Sequence, residues 1–63
     1  MNFELYEVWA VEDDGHEELL ETTASRKQAF EFAKSSLDED CKEVIIYREN
    51  DQGELQEVER LTS

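Results

Sequence analysis

The chain has 63 residues, with 18 acidic side chains against 6 basic ones, a net charge of -12 and no proline. That is room for one small domain, residues 1–63, and a body of this size buries only about 60% of the surface its unfolded chain exposes, so a second copy or a partner is an expected source of further burial. A single cysteine and a single histidine exclude an internal disulfide and a Cys/His zinc cluster, and so negative a body repels phosphate, which argues against direct binding of nucleic acid or of an anionic membrane.

The first element starts at Phe3. From Phe3 to Val11 apolar and polar residues alternate; Glu12-Asp13-Asp14-Gly15 interrupts them, and His16 to Thr23 resumes the alternation. This pattern predicts a β-hairpin, with Gly15 in the left-handed position that closes a three-residue loop. Thr23-Ala24 then leads into Ser25-Arg26-Lys27-Gln28, where Ser25 caps the backbone N–H of Gln28 and the Gln28 side chain reaches back to form a capping box. Ala29, Phe30, Phe32, Ala33 and Leu37 follow at helical spacing, which predicts a helix from Arg26 to about Leu37 with its apolar stripe centred on Ala33. Asp38-Glu39-Asp40 sits at the negative end of that helix, where carboxylates are unfavourable. The second hairpin repeats the logic of the first: Glu43 to Glu49, a turn at Asn50-Asp51-Gln52-Gly53, then Glu54 to Leu61.

The order is therefore ββαββ, an α+β fold. A helical crossover over the first strand gives a four-stranded antiparallel sheet in spatial order 2-1-3-4, with the helix packed on one face. Composition agrees with that order. The apolar runs Leu5-Tyr6-Glu7-Val8-Trp9-Ala10-Val11 and Val44-Ile45-Ile46-Tyr47 suit central strands. The outer strands, His16 to Glu21 and Glu54 to Arg60, are crowded with charge that protects exposed edges.

With three-residue loops, Val8 faces Leu20 and Ile46 faces Val58. These residues, with Tyr6, Ala10 and Val44, form the floor under Phe30, Ala33 and Leu37. The opposite face then presents Leu5, Trp9, Val11, Leu19, Ile45 and Tyr47 between Glu7, Glu17, Glu57 and Glu59. One helix covers one face only. Either the hairpin register differs by a residue, or this second face is an interface, most simply that of a twofold homodimer.

Few residues offer chemistry. His16 lies beside an exposed turn, and Cys41 follows an acidic stretch that raises a thiol pKa, so neither reads as a catalytic base or nucleophile. The acidic turns lack the spacing of a calcium loop, and turn formation already explains them. We therefore expect no catalytic, metal or cofactor-binding residue. The apolar runs fall far short of the roughly 20 residues that span a membrane, and the N-terminus carries no basic segment before an apolar one, which predicts a soluble, cytoplasmic protein.

The residues Trp9-Ala10-Val11, Gly15, Thr23-Ala24-Ser25, Ala29, Ala33, Glu43-Val44-Ile45-Ile46 and Gly53 together resemble the pattern of small bacterial ββαβ-type domains of unknown function. The resemblance spans most of the chain; it implies the fold and no activity. This chain departs from those domains in being far more acidic, so no partner carries over. The expectation from sequence is a non-enzymatic accessory or regulatory protein working by protein–protein interaction, self-associating through its sheet or binding a basic protein. The alternatives are a phage or mobile-element DNA mimic that occupies the basic cleft of a nucleic-acid-binding protein, and a surface adapted to high salt or merely to solubility.

Overall fold

A computed structural model describes residues 4–38 and 41–63. Phe3, expected to open the first strand, and Glu39-Asp40, expected to oppose the helix dipole, lie outside the described residues. The elements are β1 (Leu5–Val11), β2 (Glu17–Thr23), α1 (Arg26–Ser36), β3 (Glu43–Glu49) and β4 (Leu55–Thr62). The sheet has the order β2-β1-β3-β4, and every neighbouring pair is antiparallel.

Both hairpins close in the same way. Gly15 N donates to Glu12 O and Glu12 N to His16 O; Gly53 N donates to Asn50 O and Asn50 N to Glu54 O. Gly15 and Gly53 adopt φ of 90° and 80°, the region where a Cβ is strained. The side chains complete each turn: Asp14 accepts from His16 N, and Asn50 accepts from both Gln52 N and Glu54 N.

The helix starts where its cap dictates. Ser25 Oγ accepts from Gln28 N at 3.2 Å, but the return half of the expected box is relayed. Ser25 N donates to Thr23 Oγ1, and that hydroxyl donates to the Gln28 side chain. The helix ends at Ser36, about where expected, with Leu37 as its extended C-cap. Asp38 N then donates to Cys41 O, and the Asp38 carboxylate accepts from Cys41 N.

Tyr6, Val8, Val44 and Ile46 of the sheet meet Ala29 and Ala33 of α1 in a fully buried core, ringed by Leu20, Phe30, Phe32, Leu37, Cys41, Val58 and Leu61. Alanine at both helix contact positions lets the helix backbone settle close to the two central strands. A larger side chain there would have no space in a packed interior.

The register is where the structure corrects the sequence. Near the turns the pairing is as expected, with Trp9 opposite Leu19 and Tyr47 opposite Glu57. Beyond them each outer strand carries a bulge, so that Val8 stands opposite Glu21 rather than Leu20, and Ile46 opposite Glu59 rather than Val58. The physical reason lies further along β4. The bulge sets Leu61 opposite Val44 and Arg60 opposite Ile45, which places the apolar side chain against the core and the guanidinium on the other face. Strict alternation would exchange them and bury a charge. In β2 the same device brings Thr23 opposite Tyr6, on the side where it meets Ser25 and Gln28.

Candidate interaction face

Each hairpin residue has a counterpart at a constant offset in the other: Gly15 and Gly53, Leu20 and Val58, Val8 and Ile46, Trp9 and Tyr47. Val8 and Ile46 also pair with one another across the central strands, so the pairing of Trp9 with Ile45 is mirrored by that of Tyr47 with Glu7. The two aromatic residues therefore flank the centre of the sheet, on the face away from α1.

Their rings meet edge to face, with centroids 6.5 Å apart and planes at 87°, the geometry in which the positive edge of one ring meets the negative face of the other. Both polar tips are tied down. Trp9 Nε1 donates to the Glu7 carboxylate at 3.0 Å, and the Tyr47 hydroxyl reaches across to the outer strand and donates to Glu17 at 3.0 Å. Burial, then the hydrogen bond and negative charge of Glu17, raise the Tyr47 phenol above its ordinary pKa and hold it protonated.

Ile45 shows what the aromatic pair does. It lies on the face opposite the helix, yet only 2% of its surface is exposed. Its cross-strand neighbours are Trp9 and Arg60, and Tyr47 is two residues along its own strand. Arg60 is fixed by Glu43 at 3.0 Å and Glu57 at 2.9 Å, so its aliphatic stem flanks Ile45 while its charge stays in water.

Of the six residues expected at an interface, Ile45 is thus buried by its own chain. Leu5, Trp9, Val11 and Tyr47 are half-buried, and Leu19 is exposed. The described residues contain two exposed large hydrophobic side chains, Leu19 at 46% and Leu55 at 44%, and both pair on this face, with Trp9 and Glu49. Leu55 was hidden in the sequence by the charged strand around it. Its signal was its spacing, because it lies two residues before Glu57, the partner of Tyr47. Trp9, Glu17, Tyr47 and Leu55 line a shallow depression of about 310 Å³.

Around this apolar centre stand Glu7, Glu17, Glu43, Glu49 and Glu57, with Arg60 as the basic side chain among them. Other carboxylates, such as Glu18, Glu31 and Glu59, lie elsewhere on the body. Acid is therefore spread over the surface and does not follow a single line.

Elsewhere the chemistry is sparse. Cys41 packs at the edge of the core, its thiol pushed up by burial and by the negative charge of Asp38, and it donates weakly to Glu43 O at 3.7 Å. His16 is exposed at the first turn. Among the described residues no three His, Cys, Asp or Glu side chains converge as metal ligands, and no helix is long and apolar enough to cross a membrane. Comparison with protein families, with curated proteins and with solved structures finds no match to this chain.

Proposed function

We propose that this is a small, non-enzymatic accessory or regulatory protein that acts by binding another protein chain through the open face of its sheet. The observation that carries this reading is the placement of Leu19 and Leu55. Both exposed large hydrophobic side chains of the described residues fall on the sheet face that no described element covers, one on each outer strand to either side of the aromatic pair, and exposed apolar side chains gathered on one face mark an interaction surface on a small protein. Self-association is one form of such binding, and a twofold dimer is its simplest geometry.

The test compares a Leu19→Ser/Leu55→Ser variant with a helix-surface control, Lys27→Ser/Glu31→Gln. Both sites of each variant are exposed, so both variants fold. With each protein immobilised, whatever chain the wild type retains, a second copy or another protein, is retained by the control and lost by the face variant. Retention that ignores the face variant would contradict the reading.

A further inference from the structure

The apolar centre of the face is surrounded by one sign of charge, and this says what kind of chain fits it. We infer that the open face takes a basic amphipathic helix of a partner protein in preference to a second copy of this chain; the inference rests on the reading of that face as a docking surface. Three observations lead to it.

The first is that Ile45 is already covered by Trp9, Tyr47 and the stem of Arg60. The aliphatic side chain beneath the aromatic pair therefore needs no second copy to bury it, and the half-buried Trp9 and Tyr47 are what the face still presents. What remains is a shallow seat of about 310 Å³ between Trp9, Tyr47 and Leu55. The seat is open to solvent, so an apolar side chain of a partner can rest against Trp9, Tyr47 and Leu55 without entering an enclosed cavity.

The second is charge. Arg60 is already bonded to Glu43 and Glu57, while Glu7 and Glu17 accept from the aromatic tips. A twofold dimer through this face would set that acidic rim against itself, and like charges brought together across an interface oppose association. Lysine or arginine on a partner reverses the sign. A carboxylate that has accepted one hydrogen bond still accepts others.

The third is the mode of docking. The free edges of β2 and β4 both carry a bulge and a dense run of charge, two devices that block the addition of a further strand. A helix laid across the face needs no edge, and α1 already packs in that manner on the other side.

The probe is a peptide of about 18 residues, or five helical turns, with leucine on one face and lysine on the other. Two companion peptides replace lysine by glutamine or leucine by serine. Trp9 emission follows binding to the whole chain at 0.15 M salt, where charges farther apart than about 8 Å are screened, and sedimentation velocity gives the oligomeric state. The leucine–lysine peptide binds a monomeric protein, and each companion binds at least about tenfold more weakly. Leu19→Ser/Leu55→Ser loses about tenfold, whereas Glu18→Gln/Glu31→Gln, which removes charge away from the face, changes affinity by less than about twofold. A protein that sediments as a dimer and is split by the Leu19/Leu55 variant would overturn this inference and leave the docking face standing. Binding indifferent to the Leu19/Leu55 variant, with no dimer, would overturn both.

Discussion

Val8 and Ile46 stand directly opposite each other on the two central strands, and each occupies the same place in its own hairpin. A local twofold axis therefore passes between them, through the core on one side and the open face on the other. On the core side Leu20 and Val58 both pack inward, as do Tyr6 and Val44, although Thr23 answers Leu61 and Ala10 answers Arg48. On the open face the equivalents have diverged. Trp9 answers Tyr47, but Glu17 answers Leu55 and Val11 answers Glu49. The backbone of the two hairpins is nearly symmetric, and the side chains it presents on the open face are not.

The aromatic pair is expected to work as a lid on Ile45. Trp9→Ala should cost about 2–3 kcal/mol in urea unfolding, through lost burial and an opened cavity. Tyr47→Phe, which loses only its hydrogen bond to Glu17, should cost about 0.5–1 kcal/mol. Equal effects would mean that the indole does not cover Ile45.

Each turn glycine is required by conformation and not by space. A Cβ on Gly15 would meet no atom within 4 Å, and one on Gly53 only the Glu49 carboxylate at 3.8 Å, yet φ is 90° and 80°. Gly15→Ala and Gly53→Ala should each destabilise the protein by about 1 kcal/mol. D-alanine at either position, introduced by chemical synthesis, should restore or exceed wild-type stability.

Much of this fold was legible because its local signals agree. Two glycine turns, one capped helix and the contrast between apolar and charged strands fix ββαββ and the order of the sheet. The bulges were not read, although Val58 and Leu61 carry a trace of them: both meet the core, at a spacing of three that two-residue alternation forbids. Charged neighbours on both sides masked that break. Leu55 was missed for the same reason, since a strand read as an edge guard conceals one outward leucine. Ile45 was placed on the correct face, but its burial depends on a cross-strand aromatic contact that spacing along the chain does not encode.

The bulge in β4 makes a ranking that alternation reverses. Leu61→Arg places a charge against Val44 and should cost more than about 2 kcal/mol. Arg60→Leu gives up exposed ion pairs to Glu43 and Glu57 and should change stability by less than about 1 kcal/mol. The opposite order in chemical denaturation would restore the unbulged register.

Two phenols set the alkaline limit. Tyr47 is raised by burial and then by Glu17, and Tyr6 by its 2.7 Å hydrogen bond to Glu4 and then by burial. For a group raised in the folded state, the stabilisation is fully present below the unfolded value near 10 and is lost as pH rises through the folded value. Stability should therefore decline above pH 10. Tyr47→Phe and Tyr6→Phe should each flatten part of that decline in denaturation midpoints taken across the range. A decline that persists unchanged in both variants would assign it to other groups.

If the open face, and not the helix or the edges, receives a partner, a proton–nitrogen correlation spectrum recorded as the leucine–lysine peptide is added will locate the contact on it. The indole N–H of Trp9, bonded to Glu7, should shift strongly, together with the amides of Leu19, Ile45, Tyr47 and Leu55, while those of Lys27, Glu31 and Lys34 on α1 stay in place. Shifts centred on α1, or spread evenly over the chain with the Trp9 indole unmoved, would contradict that placement.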